Sequence, residues 1–114
     1  IVVEENKMDI ITAISGSGPA YLFEFANIMI KYAIEYHGFT NEQAFLLVKQ
    51  TFFGASKLMI ESTDDPEILR NKVTSRGGTT EAGLEILKIN FFTEIIEKVL
   101  LTVKKRSEEI SDFL

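Results

Sequence analysis

The sequence predicts an all-α domain, a helical bundle, on three observations. Long stretches carry apolar residues at helical spacing, from Pro19, from Asn41 and from Phe91. Helix start signals recur, in Thr40-Asn41-Glu42-Gln43, in Asp65-Pro66 and in Gly78-Thr79-Thr80. The one β-branched run that reads as a strand is confined to Ile1-Val2-Val3-Glu4-Glu5. Hydrophobic residues are 46% of the 114, nine of them Phe, which provides large side chains for burial.

Residues 1–5 have no partner strand in this chain, and a lone strand is not stable in water. They are read as the end of a sheet in a preceding domain, or a linker from it, leaving 6–114 as the helical domain. The chain opens on Ile1 and not Met, which fits a piece of a longer polypeptide. Asn6 to Ile14 follows as a short helix, with Asn6 as cap and Asp9 near the positive end of the dipole. Ser15-Gly16-Ser17-Gly18 ends it in a turn tight enough for close backbone approach.

Pro19 then suits the first turn of a helix, where its missing N–H leaves nothing unsatisfied. This helix runs to about His37, and Gly38 is its left-handed stop. Its polar residues Glu24, Asn27, Lys31 and Glu35 fall within an arc of about 80° at 100° per residue. Tyr21, Phe23, Phe25, Ile28, Tyr32 and their neighbours fill the rest. A helix apolar on most sides must be buried on most sides, and a domain this small can scarcely do that alone.

Thr40 to Gln43 is a capping box for a helix from about Asn41 to Glu61. Gly54 lies inside it at a cost of roughly 1 kcal/mol against Ala, which close helix–helix approach would justify. Asp65 caps a short helix to about Lys72 with Pro66 in its first turn. The Ser75–Thr80 loop leads into a helix to about Lys88. Asn90 is read as cap of the last helix, Phe91 to about Asp112. Its seam of Phe92, Ile96, Val99, Val103, Arg106, Ile110 and Phe113 alternates by four and three, a heptad pattern with a single charged member. Such a seam suits packing within one bundle or against a second subunit.

Composition removes several classes of function. The formal net charge of −5 disfavours nucleic acid as partner. The basic run Lys104-Lys105-Arg106 is followed by Glu108 and Glu109 and reads as a solvated helix face. With no Cys and one His, no disulfide and no metal site are expected, which suits a cytoplasmic protein. Glu24, Asn27 and Lys31 break the most apolar helix, so no membrane association is expected.

Few residues carry chemistry. His37 closes a helix, where the dipole favours it, and is discounted as a base. Tyr21, Tyr32 and Tyr36 sit on an apolar helix and read as core or interface residues. Glu61 reads as solvent-exposed. Ser15 to Gly18 lacks the third glycine of a dinucleotide loop and joins helix to helix, so no cofactor-binding residue is expected in this chain.

What remains is Lys72-Val73-Thr74-Ser75-Arg76-Gly77-Gly78-Thr79-Thr80-Glu81-Ala82-Gly83-Leu84. A glycine-rich turn feeding a helix N-terminus gathers unpaired N–H groups and the positive end of the dipole, a receptor for carboxylate or phosphate. Residue types alone favour a helix–loop–helix corner with Thr79 and Thr80 as caps and no ligand, because short Gly/Thr loops are common.

The string as a whole resembles the V-T-S-P-G-G-T-T-x-A-G-L signature of the pyrroline-5-carboxylate reductases. Ile14-Ser15-Gly16-Ser17-Gly18-Pro19-Ala20-Tyr21 is similar to that family's S-G-S-G-P-A-Y segment. The order and separation of the two motifs also fit, and the resemblance runs from Met8 onward. It implies the C-terminal dimerisation and substrate-binding domain of an enzyme that reduces 1-pyrroline-5-carboxylate to L-proline, in proline biosynthesis. It implies a homodimer or a higher homo-oligomer in which two helical domains interlock. It further implies that Ser75 and the backbone of Gly77, Gly78, Thr79 and Thr80 bind the substrate carboxylate, with Thr80 catalytic through a hydrogen bond to the ring nitrogen. NADPH or NADH would be held by an N-terminal Rossmann domain beyond this chain, so the chain alone is expected to be inactive. Arg76 departs from the usual Pro, and Glu81 from a position that is often apolar. Those departures leave open an alternative: a non-catalytic oligomerisation module of a reductase-like paralogue, of the late-competence type.

Overall fold

In the computed structural model, which describes residues 1–113, every regular element is helical. A 3₁₀ turn at Glu5–Lys7 leads into α1, Met8–Ile11, and a π-type turn at Thr12–Gly16. Then come α2 (Gly18–His37), α3 (Asn41–Glu61), α4 (Pro66–Lys72), α5 (Thr79–Ile89) and α6 (Phe92–Asp112). Among the described residues there is no strand. Ile1–Glu4 is irregular where the sequence predicts the end of a sheet, because a strand exists only by pairing and nothing here pairs with it.

The helix boundaries follow local chemistry. Thr40 and Gln43 complete the capping box reciprocally: the Gln43 N–H donates to Thr40 Oγ1 at 3.1 Å, and the Thr40 N–H to Gln43 Oε1 at 3.1 Å. The Ile68 N–H donates to Asp65 Oδ1 at 3.0 Å, as expected of the cap before Pro66. Gly38 ends α2 at φ +69°, a conformation open to glycine without a Cβ clash.

Three local expectations fail for identifiable reasons. Asn6 does not cap α1; it lies inside the 3₁₀ turn, and Lys7 flanks α1 with no side-chain cap. Ser15 to Gly18 is not a tight turn. The chain widens there into a π-type turn in which the Ser17 N–H reaches the Thr12 carbonyl at 2.9 Å, so neither glycine adopts a positive φ. Asn90 serves the helix behind it, its Nδ2 donating to the Ile86 carbonyl at 2.9 Å. Phe91 takes the flanking position of α6 instead, at φ 61°, where a bulky side chain is strained.

The chain divides into two compact units. One comprises residues 1–23 and 86–113. There α6 packs on α1 and the π-type turn; Val99, Leu100, Val103 and Ser107 of α6 are half-buried, and Ala13 is fully covered. The Tyr21 hydroxyl donates to the Ala13 carbonyl at 3.0 Å, and Ser107 Oγ to Asp9 Oδ1 at 2.7 Å. The basic run on α6 is paired along its own helix, Lys104 with Glu108 at 3.3 Å and Arg106 with Glu109 at 2.9 Å.

The other unit comprises residues 24–85. Phe25 of α2 meets Phe52 of α3 with ring centroids 6.0 Å apart, and Ala44 and Val48 are its buried residues. That is a small core for so apolar a segment. Ile28 is 60% exposed, Phe53 64% and Ile60 83%. A Cβ on Gly54 would meet nothing within 4 Å, so the close approach expected there is not made by this chain's own helices. So many uncovered large apolar side chains on one small unit are surface for a partner to cover.

Candidate functional site

The Ser75–Thr80 loop connects α4 to α5 within the second unit. Its tip is a β-turn, Ser75-Arg76-Gly77-Gly78, closed by the Gly78 N–H donating to the Ser75 carbonyl at 3.0 Å. Gly77 sits at φ +74° at the third position, while Arg76 keeps a negative φ, the signature of a type II turn. Type II turns favour Pro at the second position, because its ring presets φ near −65°. Arg76 therefore keeps the turn type but leaves the unfolded loop freer, at a cost of about 0.4–1 kcal/mol. Its side chain is exposed and makes no ion pair among the described residues.

Gly78 is fixed by space and not by torsion. A Cβ there would stand 2.4 Å from Ser75 Oγ and 3.2 Å from the Ser75 carbonyl oxygen, so any side chain would turn the Ser75 hydroxyl away and crowd its carbonyl. The two adjacent glycines do different work: one makes the turn, the other lets Ser75 fold over it.

Gly78 is also the residue from which α5 starts, since its carbonyl accepts the Ala82 N–H at 3.3 Å. Thr79 and Thr80 are thus the first two residues of α5, inside the helix and not its cap. Their N–H groups have no acceptor one turn back, as in any first helical turn. Neither hydroxyl has a hydrogen-bond partner among the described residues, and both side chains are exposed. The Gly77 N–H is engaged, donating to Glu81 Oε1 at 3.0 Å. Glu81 is the third residue of α5, and its carboxylate reaches back over the turn as in a capping box.

The structure therefore brings Ser75, Gly77, Gly78, Thr79 and Thr80 into one loop at a helix N-terminus. It also adds Glu81, whose contact sequence reasoning missed. The signal was present: an acidic residue four after a glycine that precedes a helix start is placed to bond back to it. The loop's neighbourhood is fixed by Thr74 Oγ1 donating to the Arg70 carbonyl at 2.6 Å and by an ion pair of Lys72 with Asp64. His37 and Glu61 lie in the same unit, exposed at the ends of α2 and α3. Glu61 pairs with Lys57 at 4.0 Å along its own helix. Among the described residues no helix is long and apolar enough to cross a membrane, and no three His, Asp or Glu side chains gather as a metal site requires.

Fold and loop define a class: an all-α domain with many uncovered apolar side chains and a glycine-rich turn at a helix N-terminus. The sequence model of pyrroline-5-carboxylate reductase dimerisation matches residues 5–110. The chain belongs to the pyrroline-5-carboxylate reductase family, as its dimerisation domain. It is 43% identical over 111 residues to pyrroline-5-carboxylate reductase 2 of Bacillus subtilis, covering 97% of this chain and 40% of that protein. It is 39% identical over 111 residues to the Pseudomonas aeruginosa reductase, with the same coverage. Among solved structures it superposes on pyrroline carboxylate reductase of Plasmodium falciparum, determined with NADP bound. There the TM-score is 0.87 at 32% identity, over 94% of this chain and 43% of that one. For the Coxiella burnetii reductase the TM-score is 0.86 at 38% identity, over 95% and 40%. The chain thus spans about two fifths of the length of these relatives.

Proposed function

We propose that this chain is the substrate-binding and dimerisation domain of an NAD(P)H-dependent pyrroline-5-carboxylate reductase that makes L-proline in the cytoplasm. Residues 1–5 would end or link a cofactor domain, and 6–114 would be the helical domain that interlocks with a second copy. The reading rests most on one observation: a turn built by Gly77 and Gly78 presents the free first turn of α5, with both threonine hydroxyls unengaged, inside a family match over residues 5–110.

The substrate is a cyclic imine bearing a carboxylate. Its carboxylate would rest on the N–H groups at the start of α5, where the dipole favours negative charge. The Thr80 hydroxyl would hydrogen-bond the ring nitrogen and hold the imine carbon toward the cofactor. The described residues contain no strand–glycine-rich–helix unit, so the dinucleotide would be held by another domain. When bound, NAD(P)H supplies the hydride that adds to the imine carbon, and the nitrogen keeps its proton to become the secondary amine. A cyclic imine is readily protonated, so orientation and charge complementarity carry the burden here more than a strong acid.

One observation favours the alternative of a non-catalytic module: Glu81 already occupies one of the loop's donors. The test is turnover by the intact protein carrying this domain, followed as NADPH oxidation on addition of 1-pyrroline-5-carboxylate. Oxidation that depends on the imine and yields proline is expected. A folded, dimeric, NADPH-binding protein without turnover would leave the module reading in place.

A further inference from the structure

We infer that Glu81 sets the affinity of this loop for anionic ligands by acting as a resident carboxylate that an incoming one must displace. The inference rests on the proposed function, deepening it to the regulation of the same loop. The Gly77 N–H donates to Glu81 Oε1 at 3.0 Å, and the Gly78 N–H is spent on the Ser75 carbonyl at 3.0 Å. Of the four backbone donors between Gly77 and Thr80, one is thus structural, one is held by a carboxylate, and two remain free.

The held donor is the one that can change hands. The Gly78 bond closes the turn and cannot be surrendered without opening it. The Glu81 bond joins an exposed side chain to an exposed turn, and a rotation of that side chain breaks it without moving the backbone. While Glu81 stays, its charge faces any second carboxylate arriving at the same helix end, and like charges this close repel. Arg76 is an exposed cation within the same turn, unpaired among the described residues, and can receive the carboxylate that leaves. Binding then becomes an exchange of one carboxylate for another on the Gly77 N–H, with affinity weakened by the occupant.

The discriminating variant is Glu81→Gln in the intact reductase. An amide oxygen still accepts from Gly77, so the turn is kept while the charge is removed. KM for 1-pyrroline-5-carboxylate is expected to fall about 2- to 5-fold at low salt, the size of one exposed charge interaction, with the effect on KM and not on kcat. The gain should shrink at high ionic strength, where exposed charges are screened. It should vanish for 1-pyrroline, the same ring without a carboxylate. A purely structural cap would give neither the salt dependence nor the substrate dependence. Thr80→Ala is run alongside. If Thr80→Ala lowers kcat/KM while Glu81→Gln leaves KM unchanged or raises it, the role given to Glu81 is overturned and the loop assignment stands. If Thr80→Ala has no effect either, the loop assignment itself fails.

Discussion

Replacing Thr80 with Ala in the intact reductase is expected to lower kcat/KM for 1-pyrroline-5-carboxylate by about 30- to 1000-fold. That follows from roughly 2–4 kcal/mol of transition-state stabilisation for one positioned donor or acceptor. The size of the effect comes from what is lost and what is kept. The substitution removes the only proposed contact to the ring nitrogen, while the N–H groups of Thr79 and Thr80 stay in place to hold the carboxylate. Affinity for NADPH should barely move, because the cofactor is proposed to lie on another domain. Stability should stay within about 0.5 kcal/mol, since the Thr80 side chain is exposed and its hydroxyl has no partner among the described residues. Steady-state kinetics with both substrates varied, together with a thermal melt, separates these outcomes. Unchanged kcat/KM would return the loop to a structural corner.

Ile28→Asp is the second large effect. In this chain Ile28 is 60% exposed on α2, so a lone domain should tolerate the change within about 0.5 kcal/mol. If a second copy covers the apolar arc of α2, the same aspartate is buried without a partner, at a cost of several kcal/mol. Each 1.4 kcal/mol is about tenfold in affinity, so the dimer should weaken by at least about 100-fold. Because each chain buries so little by itself, helicity should fall with association. Sedimentation equilibrium and far-ultraviolet circular dichroism over a dilution series read both. An Ile28→Asp protein that associates and melts like the parent would place the partner elsewhere.

What the sequence disclosed, and what it did not, divides along the range of the forces involved. The helices of this domain were legible because their start signals are local: Thr40 with Gln43, and Asp65 with Pro66, act within one turn of chain. The uncovered arc of α2 was legible for the same reason, since the narrow stripe from Glu24 to Glu35 is a matter of angular spacing. The π-type turn at Thr12–Gly16 was not. Its glycines are read most simply as a tight turn, and the widened path becomes visible only once Tyr21 reaches back to the Ala13 carbonyl. Asn90 reads as the cap of α6 but bonds back to α5, because an asparagine between two helices can serve either. Phe91 adopting φ 61° next to it has no local cause in the sequence. Within the loop, the residues were legible as a string but their division of labour was not. Gly77 supplies the left-handed angle, Gly78 the space for Ser75, and Glu81 the carboxylate on Gly77. Those roles depend on the turn type, which the departure from Pro to Arg76 conceals.

The account depends most on the claim that this domain is completed by a second copy of itself. Fully covered apolar residues are few among those described, Ala13 and Ala44 foremost, while Phe23 is 72% and Ile60 83% exposed. At about 25 cal/mol per Å² of apolar surface, leaving such faces in water forfeits many kcal/mol. Light scattering during size exclusion of the 114-residue chain at low micromolar concentration measures this directly. The account predicts a mass of two 12.9 kDa chains or a multiple of two, with no monomer at equilibrium. A monodisperse, helical, cooperatively melting monomer would contradict it.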